Sequence, residues 1–176
     1  MDITEKMMDA FARVPRVATP PFHSRLNPEY TREHFIASMI PSNVLVALQK
    51  AREAREHAVS YRNFNVGATT VALARRPSNF QVLPGINAKV DEHSPLNMHA
   101  EQLALWTARA QGFDMVSIVA VVGETQPDTQ SGHEMHTLHP CGLCRAKLSQ
   151  DPMIDNDATL ILSALPDLRT IEASTV

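Results

Sequence analysis

The chain predicts an α/β fold in which a mixed sheet of about five strands is sandwiched by helices. Three observations predict it. Apolar residues recur at helical spacing in 44–58 and 98–111, and almost continuous apolar runs at 117–122 and 159–162 read as strands covered on both faces. These elements also alternate along the chain, which places helices on a sheet rather than in a bundle.

Residues 1–41 read as an extension ahead of a main domain at 42–176. Ile3, Met7, Met8, Phe11 and Val14 recur at helical spacing, and Pro15, Pro20, Pro21 and Pro28 then interrupt regular structure. Such an arm is expected to pack over the domain or a neighbouring subunit. Pro41-Ser42-Asn43 offers a helix start, with Val44, Ala47, Leu48, Ala51, Ala54 and Ala58 on one stripe. Lys50, Arg52, Glu53 and Glu56 make the solvated face.

Residues 65–73 are rich in β-branched side chains and read as a strand. A turn at 75–79 returns it as a hairpin through Phe80-Gln81-Val82-Leu83, and Pro84-Gly85 marks a bend or a sheet edge. A polar loop at 88–97 leads into a helix from Met98 to Gln111, closed by Gly112. Leu103, Ala104, Leu105, Trp106, Ala108 and Ala110 run nearly all round it, so it is expected to be central and buried. After the strand at 117–122 comes a loop at 124–139, then a helix from Cys141 to about Gln150. The strand at 159–162 and a short last one at 169–172 complete the sheet.

Composition bounds the function. At 176 residues and 44% hydrophobic content, the chain suffices for about one domain with an ordinary core. A net charge of −3 and a pI near 6.2 do not point to long nucleic acid as a partner. No apolar run approaches the roughly 20 residues of a membrane span. The first residues lack the pattern of a secretory signal. Two cysteines three apart bridge no distant parts of a fold, so the expectation is a cytoplasmic protein with reduced thiols.

The chemistry concentrates in His99-Ala100-Glu101-Gln102 and Pro140-Cys141-Gly142-Leu143-Cys144-Arg145. One imidazole and two thiols are good zinc ligands, and three protein ligands leave a fourth position open for water, as in catalytic sites. Cys141 and Cys144, at i and i+3 of a helix start, turn both sulfurs to one point, where the helix N-terminus favours thiolates. His99 opens the other helix, so two helix N-termini are expected to converge on one Zn²⁺. Two thiolates and a neutral imidazole balance its charge, in keeping with the neutral Gln102. Glu101 is placed to move protons, which needs a pKa raised by desolvation. Attack of water at an amidine-like carbon with loss of ammonia suits these parts. Taken alone, Cys-x-x-Cys fits a thiol–disulfide oxidoreductase as well, and a deaminase-like binding protein with structural zinc is a third class.

Together these motifs resemble the cytidine deaminase family over roughly residues 43–172, with Tyr61-Arg62-Asn63-Phe64-Asn65-Val66-Gly67-Ala68 resembling a further family segment. The resemblance implies a three-layer α/β/α sandwich, one zinc per subunit on His99, Cys141 and Cys144, and Glu101 as proton shuttle. It implies a homodimer or homotetramer acting on a small pyrimidine nucleoside in salvage. Phe64 would pack on the base, the backbone of Ala100 would read its amino group, and Asn87 would hold ribose hydroxyls.

Three departures qualify the substrate. Lys89 stands where the family has a ribose-binding Glu, and an ammonium accepts no hydrogen bond from a hydroxyl. Either Asp91 or Glu92 takes that role, or Lys89, with Arg62 as a second cation, meets a phosphate or carboxylate on a nucleotide or modified nucleoside. The sequence ends at Val176 without the family's aromatic tail, so another aromatic or a neighbouring subunit is expected to supply that wall. The 125–139 loop is long and carries His133, His136 and His139, read as a lid or surface loop rather than a second metal site.

Overall fold

The structure, a computed structural model, describes residues 17–18, 33–36, 42–74, 80–125 and 137–176. The expected helix at 3–14, the four prolines after it, the turn at 75–79 and the histidines His133 and His136 lie outside the described residues. In chain order the elements are β1 (Val17–Ala18), β2 (Glu33–Ile36), α1 (Ser42–Arg55), β3 (Val59–Ser60), β4 (Val66–Leu73) and β5 (Phe80–Ile86). They continue as β6 (Ala88–Lys89), α2 (Ala100–Ala110), β7 (Met115–Gly123), α3 (Gly142–Gln150), β8 (Leu160–Ala164) and β9 (Thr170–Ser174).

The main sheet runs in the order β1-β2-β9-β8-β7-β4-β5. The β7–β8 pair is parallel and its other pairs are antiparallel. The five strands expected from the sequence are β4, β5, β7, β8 and β9. Two short strands from the N-terminal extension add to the β9 edge, with His34 opposite Glu172. Nothing in the periodicity of 1–41 marked them.

Alternation along the central strands divides the core. Ile118, Ala120 and Val122 of β7, with Leu162 and Ala164 of β8, pack against Val44, Ala47, Leu48 and Ala51 of α1. Val119 and Val121 of β7, with Ile161 of β8, face Ala100, Ala104, Leu105 and Ala108 of α2 and Leu148 of α3. Helices therefore cover both faces, giving three layers, α/β/α. Each large aliphatic side chain buried there contributes about 1.5–3 kcal/mol. Central β4 is buried at all eight positions, and its two polar side chains each find a helix carbonyl. Thr69 donates to Ala47 O at 2.9 Å and Thr70 to Ala104 O at 3.3 Å.

Pro84 and Gly85 lie on the sheet edge, one of the two expected readings, and β5 continues through them to Ile86 because a missing N–H there interrupts no ladder with a further strand. The central helix differs from expectation. α2 is not buried all round: Trp106 is 53% exposed. Its Ala100-Ala104-Ala108 face meets the sheet, while Trp106 and Arg109 point away from it.

Two glycines set how closely the helices approach. A Cβ on Gly67 would fall on the Ala51 carbonyl of α1, and one on Gly85 on the Ala100 carbonyl and Ala104 nitrogen of α2. Both obstacles are helix backbone, which cannot yield like a flexible side chain. Gly67→Ala is expected to cost about 1–3 kcal/mol and to lower Tm by several degrees in thermal denaturation. An unchanged Tm would show that α1 does not press on β4 as described.

Candidate active site

Three donor groups from two helix starts meet at one point. His99 is the N-cap of α2, with extended backbone (φ −95°, ψ 148°), and Cys141 is the N-cap of α3 (φ −65°, ψ 166°). Cys141 therefore precedes the helix rather than opening it, and Cys144 lies in the first turn. His99 Nδ1 stands 3.5 Å from Cys141 Sγ and 3.3 Å from Cys144 Sγ. The three donor atoms lie within 4.8 Å of one another, a cluster able to hold a metal ion. A nitrogen at about 2.0–2.1 Å and a sulfur at about 2.3 Å on a tetrahedral zinc stand about 3.6 Å apart, so the two nitrogen–sulfur separations fit that ion.

The thiols differ electrostatically. The Cys141 thiol is pulled far below its ordinary range, first by a hydrogen bond from Cys144 and then by one from His99. Cys144 is pushed up, first by that same bond to Cys141, then by burial and by the Glu101 charge. One thiolate forms readily, and a divalent cation is the natural partner for a second beside it.

Glu101 sits in the first turn of α2 and is 5% exposed. Burial raises its pKa above the usual carboxylate range, and the nearby Cys141 charge adds to the rise. A hydrogen bond to its own backbone and the His99 charge oppose it. Residues two apart do not share a helical face. His99 and Glu101 line one pocket because His99 is extended and only Glu101 is helical.

That pocket has a volume of about 180 Å³, and Phe64, Asn87, Lys89, His99, Ala100, Glu101 and Cys141 all line it. The residues expected to bind metal, substrate or the transferred proton are thus brought together, with Cys144 in contact with His99. Ser60, Arg62 and Leu138 complete the wall with Tyr61, Val66 and His139. Ala100, wholly buried, is the first residue of α2, among the positions whose N–H groups have no intrahelical acceptor.

Asn87 does more than the sequence suggested. Its amide nitrogen donates to Phe64 O at 2.7 Å, and its amide oxygen accepts from Val66 N at 2.8 Å. Arg55 of α1 donates to Asn65 O at 2.9 Å. Three consecutive residues, Phe64-Asn65-Val66, are therefore held by side chains from two other elements. Asn63 precedes them with φ +56°, a left-handed conformation that asparagine tolerates. Sequence reasoning missed Arg55 and Ser60. An arginine in the last turn of α1 reads as a surface charge until its bond to a distant carbonyl is seen.

The alternatives at position 89 separate. Glu92 pairs with Arg62 at 2.7 Å, and Asp91 Oδ1 accepts from His93 N at 2.8 Å. Neither carboxylate lines the pocket, whereas Lys89 and Arg62 do. His139 also lines it, its Nδ1 3.1 Å from Arg145 Nη1, which also donates to Pro140 O at 3.1 Å. The aromatic side chains lining the pocket among the described residues are Tyr61 and Phe64.

Residues 42–153 match the family described as the cytidine and deoxycytidylate deaminase zinc-binding region. The fold is similar to that of the cytidine deaminase from Burkholderia pseudomallei, at 26% identity and a TM-score of 0.57. That match covers 74% of this chain and 91% of the other. It is also similar to the cytidine deaminase from Mycobacterium leprae, at 22% identity and a TM-score of 0.50, covering 71% and 89% of the two chains. No curated protein matches the sequence.

The double bond from Asn87 has a consequence for stability apart from any reaction. Asn87→Ala leaves the Val66 N–H and the Phe64 carbonyl without their partners, at about 1–3 kcal/mol for each buried group. Denaturant unfolding is expected to show a loss in that range or above. A midpoint equal to the parent's would mean that Asn87 does not brace this segment.

Proposed function

The chain belongs to the cytidine and deoxycytidylate deaminase zinc-binding family, and from that membership we propose that it hydrolyses the amino group of a cytosine nucleoside, or a close analogue. Water and the cytosine form give the uracil form and ammonia. The observation that carries this reading is the meeting of His99 Nδ1 with two sulfurs, at 3.5 and 3.3 Å, beside a buried carboxylate in one pocket.

His99, Cys141 and Cys144 would hold one zinc per chain. Bound zinc supplies Lewis acidity, lowering the pKa of water from about 15.7 toward about 7. The remaining work falls to the protein's own groups. Glu101 accepts the first proton of the attacking water and delivers it to the ring nitrogen beside the reacting carbon. It then takes the second proton from the hydroxyl now on that carbon and gives it to the departing amine, which leaves as ammonia. Burial suits it to the first of these steps, since a raised pKa makes the carboxylate a stronger base toward the proton of water than an exposed one. Phe64, fixed by its braced backbone, packs against the base, and the backbone of Ala100 reads the amino group. Asn87 keeps one amide hydrogen and one lone pair for a sugar hydroxyl.

We place this activity in a catalytic unit at 42–176, with 1–41 as an extension, in a cytoplasmic homo-oligomer serving pyrimidine salvage. Supporting the assembly is Trp106, large and exposed on the outer face of α2. No helix among the described residues is long and apolar enough to cross a membrane.

Elemental analysis is expected to find about one zinc per chain, lost in Cys144→Ser. Glu101→Gln is expected to retain the metal while ammonia release from cytosine nucleosides falls by about 10²–10⁴-fold. A metal-free protein with a reversible Cys141–Cys144 disulfide would overturn the reading in favour of thiol–disulfide exchange. Undiminished turnover in Glu101→Gln would overturn the role of the carboxylate.

A further inference from the structure

The pocket wall built by β3 and β6 carries chemistry that the reacting groups do not use. Ser60 and Lys89 are direct partners across the parallel β3–β6 pair, and both line the pocket. The Ser60 hydroxyl is buried with no hydrogen-bond partner among the described residues. Half-buried Lys89 has its backbone carbonyl bonded to Tyr61 N at 3.0 Å, but its ammonium makes no hydrogen bond or ion pair among the described residues. Arg62 lines the same pocket, its guanidinium 5.1 Å above the Tyr61 ring. Its bond to Glu92 is exposed on both sides and leaves other guanidinium donors available.

Two unsatisfied polar groups side by side on a pocket wall ask for a ligand that accepts hydrogen bonds. A sugar hydroxyl can donate to Ser60 or to the Asn87 amide oxygen, but it leaves the Lys89 ammonium without a counter-charge, and the carboxylate among the described lining residues is Glu101 alone. An oxyanion accepts from the hydroxyl and the ammonium together, and charge-assisted bonds of this kind are the strong ones. The geometry points to Ser60 and Lys89, backed by Arg62, as a subsite for a carboxylate or phosphate carried on the sugar side of the substrate. This rests on the deaminase reading, which puts the base against Glu101 and so the sugar toward the β3–β6 wall.

The test pairs turnover with binding. The zinc-loaded protein is offered cytidine, deoxycytidine, their 5′-monophosphates, and a cytosine nucleoside oxidised to a carboxylate at the 5′ carbon. One anionic series is expected to exceed the neutral nucleosides by about 10–100-fold in kcat/KM, with an advantage that shrinks as salt rises. Phosphate and carboxylate arms tell the two sources apart. Lys89→Met is expected to erase the preference through KM, with zinc content unchanged, and Lys89→Glu to turn it toward the neutral sugars. Calorimetry on zinc-loaded Glu101→Gln reads the same ranking without turnover. Equal or better use of neutral nucleosides, or a preference that survives Lys89→Met, overturns the subsite while leaving the deaminase standing. Failure of every compound to bind or release ammonia overturns both.

Discussion

Everything at the site depends on one spatial constraint: a nitrogen at the start of α2 must lie within contact distance of two sulfurs at the start of α3. No local interaction enforces it, since the residues are 42 and 45 apart in sequence. The sheet does. α2 is seated on β4 and β5 at a distance that Gly85 permits, and α3 is tied to the same core through Leu148. Leu138 lies against Gly123 at the end of β7, and Arg145 holds the carbonyl of Pro140 just before Cys141. A shift of about 1 Å in either helix would move donor atoms by a large fraction of a ligand bond of about 2.0–2.3 Å. The dense packing of the alanine face of α2 is therefore part of the geometry of the His99, Cys141 and Cys144 cluster.

The pocket repeats that logic at its walls. Phe64 follows a left-handed asparagine and precedes a strand, a place where a chain ordinarily has freedom. Asn87 and Arg55 remove it by occupying the backbone groups of Phe64, Asn65 and Val66. The cost of ordering an aromatic ring is thereby met on folding rather than on binding, which leaves more of the contact energy for the ligand. By contrast, Ser60 and Lys89 are held in place by their backbones, with side chains that make no hydrogen bond or ion pair among the described residues. A rigid apolar side and an unsatisfied polar side are what a ligand with a flat ring and a charged substituent would meet.

Much of this was legible because apolar patterning survives in the sequence. The continuous apolar runs at 117–122 and 159–162, the stripe of α1 and the nearly all-round apolar character of α2 announced a buried sheet between helices. The donors were legible because His-x-Glu and Cys-x-x-Cys are short and each falls at a helix start. What escaped notice depended on partners far along the chain. Trp106 looked like core because a helical stripe does not show how many of its sides the fold covers. Asn87 was read for the ligand it might hold, yet its amide lies against a segment 21–23 residues earlier. Strands β1 and β2 were hidden among prolines, and only pairing, of β2 with β9 and of β1 with β2, makes them strands.

The electrostatics of the site close on Glu101 and Gln102, adjacent and both buried. Desolvation alone would push the Glu101 carboxyl upward without restraint, and the Cys141 charge pushes the same way. Its own backbone N–H, on the positive end of α2, and the His99 charge pull the other way without reversing the rise. An arginine at position 102 would tip that balance by placing a permanent cation next to the carboxylate. Gln102 brings volume and hydrogen-bonding capacity without charge. A centre of two thiolates and one imidazole already neutralises a divalent ion, so a buried guanidinium beside it would be a charge with no counterpart. The neutral residue at 102 is thus the one consistent with the donor set at 99, 141 and 144, and with a carboxylate at 101 that, in the proposed reaction, both takes and gives a proton.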